Sequence, residues 1–456
     1  MRALSWPMWI CLGLVGLMVG ILPNAGEAGL KAGAAAVVIT PEYDIWLAGY
    51  GDRNRPSEGK IHDLYAKALA LEDEAGTRLV LVTTDLINLW AEFTDRVAGR
   101  LQAEWNLPRE AVLFNSSHTH SGPILPDKLQ GIHPAPEEQW NLSRRYAVEL
   151  EDKLIQVVRQ ALGNLEPAQI AYGRGSAGFG KNRRQYTLEG IINGENPIGP
   201  VDHDVPVLRV DGADGAVKAV VFGYACHNTT LNLYRFCGDY AGFAQIALEK
   251  KFPGAVALFF AGCGADINPL PRRKVELAER YGEELARGAG QALAGGMKPV
   301  EGPLRAAFAR IDLALTPAPA KEQLEAQWRQ TGSPVIQRCL GLILDEYGRR
   351  GSLPETCPYP VQVWRVGNEL IVTALGGEVV VDYALRLKYE LGAGHTWVMG
   401  YSNDVMAYIP SLRILREGGY EGKDAMVEYG LAGEWRPDIE ERIVREIHRL
   451  VDATER

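Results

Sequence analysis

The chain has 456 residues and is 46% hydrophobic, enough to bury a large core as one domain or two, so disorder throughout is excluded. With 48 Lys+Arg against 57 Asp+Glu it is mildly acidic, and no long basic run is present to neutralise a series of phosphates, which excludes nucleic acid as a partner.

At the start of the chain, Arg2 precedes an uncharged apolar stretch from Trp6 to Leu22, broken at Pro23 and followed by small residues at Gly26 and Ala28. This is signal-peptide anatomy and predicts cleavage near Ala28, with export to the periplasm or beyond, leaving residues 29–456 as the mature domain. A retained anchor is the competing reading, but the stretch is at the short end for a spanning helix. Cys11 lies inside it, too early for a lipid-attachment site.

Short β-branched runs at Ala36–Thr40 and Leu79–Thr83, separated by a turn-rich segment from Gly49 to Pro56, read as strands and a loop. A helix over Glu92–Trp105 then leads through Pro108 into a short apolar strand, Ala111–Phe114. Glu137–Leu165 places Tyr146, Leu150, Leu154 and Val157 at helical spacing among charges, as a helix covering a sheet does. Strands are expected at Gln169–Tyr172, Val205–Val210, Ala219–Tyr224, Ala255–Phe260, Val361–Arg365 and Leu370–Leu375, and a last amphipathic helix at Asp438–Asp452. The alternation predicts an α/β fold with a mixed sheet core flanked by helices. An Ala/Pro-rich linker, Thr316–Ala320, is a candidate subdomain boundary.

Beyond the leader there are five cysteines, an odd number, so at least one is free. Cys339 and Cys357 flank a stretch with Gly348, Gly351 and Pro354 that reads as a loop, and they are expected to form a disulfide in an oxidising compartment. Cys226 and Cys237 could pair as well, or pack around His227.

Gly173, Gly175 and Gly178 have the spacing of a dinucleotide-binding loop, and Gly175 to Lys181 that of a phosphate loop. Asn182 stands where the phosphate loop needs Ser or Thr, and no helix opens behind it, so the glycines read as a flexible loop. Neither a nucleophile-elbow serine nor two histidines bracketing a glutamate on one helix turn occurs.

The chemistry concentrates after strands. Two of the eight histidines lie in Asn115-Ser116-Ser117-His118-Thr119-His120-Ser121-Gly122-Pro123, where continued strand geometry would point His118 and His120 to one face. Strand ends are where α/β sheets bind ligands. The alternative is a solvated loop with two incidental histidines. His227 follows the strand Ala219–Tyr224 in the same way, although taken alone it suits a structural role better than a ligand's. Phe259-Phe260-Ala261-Gly262-Cys263-Gly264-Ala265-Asp266 ends in small residues that allow close backbone approach, with Asp266 also able to cap a turn. Leu370–Leu375 runs into Gly376-Gly377-Glu378, a carboxylate that a solvated position would also explain.

In order and spacing these segments resemble the neutral ceramidases, zinc-dependent amidases of N-acyl sphingosines. The likeness starts at Gly49-Tyr50-Gly51, Ile61–Ala68 and Thr84-Asp85-Leu86, and is sharpest at His118–Pro123. It continues through Asn182-Arg183, His227, Gly264–Pro269, Gly377-Glu378 and Tyr408–Gly422. The resemblance implies one zinc ion per chain held by His118, His227, Glu378 and Tyr408. It implies catalytic roles for His120, Arg183 and Tyr420, and a substrate floor at Gly262, Gly264 and Asp266. Without it, Tyr408 and Tyr420 would pass as tyrosines at a core edge. The implied substrate is a lipid or other N-acyl small molecule, met with a transient contact at a membrane surface. An esterase or small-amide metallohydrolase and a non-catalytic secreted binding module are the alternatives. The chain departs from the family pattern at Leu231–Tyr240 and Ile409-Pro410-Ser411, and in place of the family's C-terminal immunoglobulin-like domain it ends in one charged helix.

Overall fold

The computed structural model describes residues 29–455, so the expected leader at 1–28 lies outside the described residues. Two sheets form the centre. The larger contains β1 (Leu30–Val38), β2 (Tyr65–Asp73), β3 (Arg78–Thr84), β4 (Val112–Ser116), β5 (Glu166–Ser176), β6 (Asp204–Gly212), β7 (Val217–Tyr224) and β8 (Val256–Ala261), ordered β8-β7-β6-β5-β1-β2-β3-β4, with β9 (Lys298–Val300) also paired to β5. The smaller has the order β10-β11-β12-β13, formed by β10 (Leu304–Ala314), β11 (Thr356–Val366), β12 (Leu370–Leu375) and β13 (Thr396–Met399). Both are mixed: β3–β4, β7–β8 and β12–β13 are parallel, and the other neighbours antiparallel.

The residue patterns assign the layers. In β2 and β3, Ala66, Ala68, Ala70, Val80 and Val82 face one cluster while Leu69, Leu71, Leu79 and Leu81 face another. The second cluster also holds Trp364, Val366, Val372, Trp397 and Met399, so the two sheets pack face to face. The outer face of the larger sheet carries α1 (Ala91–Trp105), α2 (Glu137–Gly163), α3 (Asp239–Lys251) and α4 (Val275–Ala294); that of the smaller carries α7 (Val381–Leu391) and α8 (Ile439–Glu455). The result is a four-layer stack, helices, sheet, sheet, helices, which agrees with the expected α/β class. Among the described residues no helix is long and apolar enough to cross a membrane.

Between β10 and β11 the chain leaves through residues 316–320 into a helical hairpin, α5 (Lys321–Gln330) and α6 (Pro334–Arg350), then returns to pair β11 with β10 along its whole length. Ser333 accepts a hydrogen bond from the Ile336 amide, Pro334 occupies the first turn, and Gly351 adopts the left-handed conformation that ends the helix. The segment from Cys339 to Cys357, expected as a loop, is therefore mostly helix.

That geometry removes the expected disulfide. Cys339 projects from α6 onto Gly131, whereas Cys357 sits in β11 opposite Leu313, and all five thiols are free and buried. Cys226 and Cys237 are also unpaired; the Cys237 thiol lies 3.2 Å from Nε2 of His62. Gly173 and Gly175 are a second correction. They belong to β5 rather than a flexible loop, because α4 crosses there so closely that a Cβ on Gly175 would stand 1.8 Å from the Gly288 carbonyl oxygen.

Two outcomes follow from this packing. Gly175→Ala, which forces the helix off the strand, is expected to lower the unfolding free energy by about 1–3 kcal/mol in urea denaturation. Alkylation of the denatured, unreduced protein should label all of Cys226, Cys237, Cys263, Cys339 and Cys357; a Cys339–Cys357 bridge would spare two of them.

Candidate metal centre

The ends of β4, β7, β8 and β12 meet at one rim, where a single side chain joins β4 to β8 and to the loop after β13. Asn115 accepts from the Ala261 amide (2.9 Å) and donates to the Gly400 carbonyl (2.7 Å), tying β4 to β8, its opposite edge strand, and to the loop after β13. From this seam His118, His227 and Glu378 reach one buried point. His118 and His120 do converge, but not by continued strand alternation: β4 stops at Ser116 and His118 has a left-handed φ of 61°.

Nδ1 of His118 lies 2.7 Å from the Ile87 carbonyl oxygen and Nδ1 of His227 lies 2.8 Å from that of Gly264. A carbonyl can only accept, so each Nδ1 carries a proton, and in the neutral imidazole this leaves the lone pair on Nε2. Burial and the neighbouring Arg183 guanidinium lower the His227 pKa to about 4, so its imidazole is neutral. Both Nε2 atoms face Oε2 of Glu378, at 3.2 and 3.1 Å, yet this buried oxygen receives no hydrogen bond.

Glu378 arrives through Gly377, whose φ of 80° and contact with the Ala407 carbonyl exclude a side chain. The two-residue strand Glu378–Val379 then pairs in parallel with Tyr408–Ile409, placing Glu378 directly beside Tyr408. The Tyr408 hydroxyl lies 3.4 Å from Nε2 of His227 and accepts from Nη2 of Arg183 at 3.0 Å; burial, then Glu378, raises its pKa well above the usual value.

This donor set fits a metal ion. Two imidazole nitrogens, a carboxylate oxygen and a phenol oxygen converge on one point. Tetrahedral zinc with bonds of ~2.0–2.1 Å sets its ligand atoms roughly 3.3 Å apart, close to the 3.1, 3.2 and 3.4 Å found here. His120 belongs to an overlapping three-histidine group, its Nε2 3.2 Å from that of His118. It differs in kind: its Nδ1 has no partner, so no carbonyl fixes its tautomer, and it is only half-buried. Burial drives its pKa well below the ordinary value.

Arg183 fans out around the point, donating from Nε to Glu421 at 2.6 Å and approaching Asn268 and His227 through Nη1. Tyr420 lies edge-on to Tyr408 and donates to Glu428 at 2.7 Å. Gly262 and Gly264 make their close approach to the backbone of Ala225 and Cys226, where a Cβ on Gly264 would stand 2.4 Å from the Cys226 nitrogen. Asp266 is fully buried; it accepts from the Val381 amide (2.8 Å) and from Asn182 (3.1 Å), and its carbonyl accepts from the Arg183 amide. The structure thus turns Asp266 away from the histidines and makes it the pin for Arg183 and for the end of the Glu378 strand.

Sequence reasoning missed Tyr429, whose hydroxyl donates to Oε1 of Glu378, Tyr401, whose ring lies 4.4 Å from that of His118, and the pairing of Glu421 with Arg183 and Arg184. Only Glu421 had a local signal, its place beside Tyr420 in the resembling stretch.

A family model described as "Neutral/alkaline non-lysosomal ceramidase, N-terminal" matches residues 31–310. Neutral ceramidase B of Dictyostelium discoideum is 26% identical over 268 residues, 55% of this chain and 37% of that protein, so the chain matches little more than a third of its curated relative. The crystal structure of neutral ceramidase from Pseudomonas aeruginosa superposes with a TM-score of 0.71 at 18% identity, covering 94% of this chain and 74% of the other. A structure described as "Ceramidase complexed with C2" gives 0.72 at 18% identity, over 94% and 75%. These two likenesses establish the fold.

Asp266→Asn tests the pinning role. The new amide sets a donor against the amide of Asn182 or the Val381 N–H, and the unfolding free energy should fall by about 1–3 kcal/mol in denaturant titration.

Proposed function

The chain belongs to the neutral/alkaline non-lysosomal ceramidase family, and from that premise we propose that it is a zinc-dependent amidohydrolase cleaving the N-acyl bond of ceramide-like lipids. The observation that carries the proposal is the convergence of two imidazole nitrogens, a carboxylate oxygen and a phenol oxygen on a buried point, with neighbouring separations of 3.1, 3.2 and 3.4 Å. His118 and His227 would hold the ion through Nε2, Glu378 through Oε2 and Tyr408 through its phenol oxygen, one ion per chain. When bound, zinc supplies a Lewis acid and a water of lowered pKa.

The remaining work falls to the protein. His120, mobile in tautomer and on the open side, is suited to take a proton at Nε2 from an attacking water and return it to the departing amine. Arg183 brings a fixed positive charge toward a developing oxyanion. The Tyr420 hydroxyl, its proton committed to Glu428, has lone pairs free to accept from a substrate N–H or hydroxyl. Gly262, Gly264 and Asp266 hold the floor and the guanidinium in register. A cleft of about 610 Å³ opens beside this group, bounded by Tyr50, Ile132, Val335, Ile336 and Tyr420 and by the charged Asp52, Arg338 and Glu428. Gly49 and Tyr50 pack directly on His120, so the cleft adjoins the reacting position, and its side formed by Ile132, Val335 and Ile336 is suited to an acyl chain. Export after removal of residues 1–28, and transient contact with the membrane surface that supplies such lipids, belong to the same proposal.

Metal analysis and hydrolysis of a fluorescent ceramide, run on the wild type beside His118→Ala, His227→Ala and Glu378→Ala, test it together. Stoichiometric zinc in the wild type and its loss in the variants are expected, with kcat/KM falling by at least ~10³-fold as several kcal/mol of transition-state stabilisation disappear. Pure wild type without zinc, or hydrolysis indifferent to chelators, would refute the proposal.

A further inference from the structure

We propose that Tyr429 is a positioning residue that makes Glu378 present one chosen oxygen to the metal centre; this rests on the metal-dependent reading above. The backbone route to Glu378, through Gly377 and the pairing with Tyr408, fixes where the side chain starts. It does not fix the plane of the carboxylate, whose terminal torsion is broad and two-fold. A carboxylate left free could offer either oxygen, or both.

Tyr429 removes that freedom. Its hydroxyl donates to Oε1, while Oε2 has no donor and stands 3.2 and 3.1 Å from the two Nε2 atoms. One oxygen is occupied by protein and the other is reserved. The ring is buried, 3% exposed, at the end of the 3-10 turn Asp424–Tyr429, which Gly430 closes in the left-handed conformation. The preceding residue, Glu428, accepts from Tyr420, so consecutive side chains of one turn aim two walls of the site. Partners of this kind, outside the ligand set, hold ligands in orientation and are worth about 10–100-fold in metal affinity. The family match ends at residue 310 and assigns Tyr429 no part.

The test is the affinity of the full chain for Zn²⁺, measured by competition with a chromogenic chelator. Tyr429→Phe keeps the ring and deletes the donor; Tyr429→Met is a second donor-free variant should the first fold poorly. Tyr359→Phe is the control, because Tyr359 is equally buried and its hydroxyl has no partner. Zinc affinity is expected to fall about 10–100-fold in the Tyr429 variants and to stay at the wild-type value in Tyr359→Phe. Excess zinc should restore much of the kcat of Tyr429→Phe, which repair of a purely structural lesion would not do. Folded Tyr429→Phe or Tyr429→Met binding zinc within two-fold of wild type overturns the inference while leaving the metal-dependent reading intact. A wild type that binds no zinc overturns both.

Discussion

The organisation of this protein depends on one electrostatic constraint: two imidazole nitrogens and a carboxylate oxygen are pressed together at about 3 Å at a buried point. Without protons between them such acceptors repel, and burying them costs free energy that a cation would offset. What keeps them facing inward is the surrounding backbone. The carbonyls of Ile87 and Gly264 take the Nδ1 protons, and those carbonyls are held by the strand ends from which their loops depart. The histidines are therefore pre-oriented by main-chain groups rather than by each other.

The four-layer architecture explains how chain segments separated by more than two hundred residues reach that point. The larger sheet brings its two edge strands, β4 and β8, within reach of one asparagine side chain, and the same Asn115 amide grips the loop leaving the smaller sheet. Histidines from the first sheet and a glutamate from the second thus share one rim. Behind them a buried lattice of Arg183, Arg184, Glu417 and Glu421 sets the guanidinium beside Tyr408. Buried charge of this kind is costly unless fully paired, and here each guanidinium has a carboxylate partner.

Membership of the ceramidase family rests on residues 31–310, which contain His118, His120, Arg183 and His227. Glu378, Tyr408 and Tyr420 lie beyond that match, in the part of the chain related to the solved ceramidases through fold. The α5–α6 hairpin, which forms a wall of the cleft, lies there too.

The sequence by itself determined the α/β class, most of the strands around the site and the two long amphipathic helices, because local periodicity carries that information. It also marked His118, His120, His227 and Glu378 as polar residues just after apolar strands, while the ligand set His118, His227, Glu378 and Tyr408 came only with the family resemblance. Periodicity says less where a strand is buried on both faces: β2 reads Ala-Lys-Ala-Leu-Ala-Leu and shows no polar alternation to mark it. Nor could it see that α6 separates Cys339 from Cys357, or that Gly175 is small because a helix crosses it. Only the tertiary structure decided that Tyr429 grips Glu378, that Asp266 points away from the histidines, and that His118 turns through a left-handed residue to meet His227. Those relations join side chains far apart in the chain through hydrogen bonds and packing, and no local pattern encodes a distance across the fold.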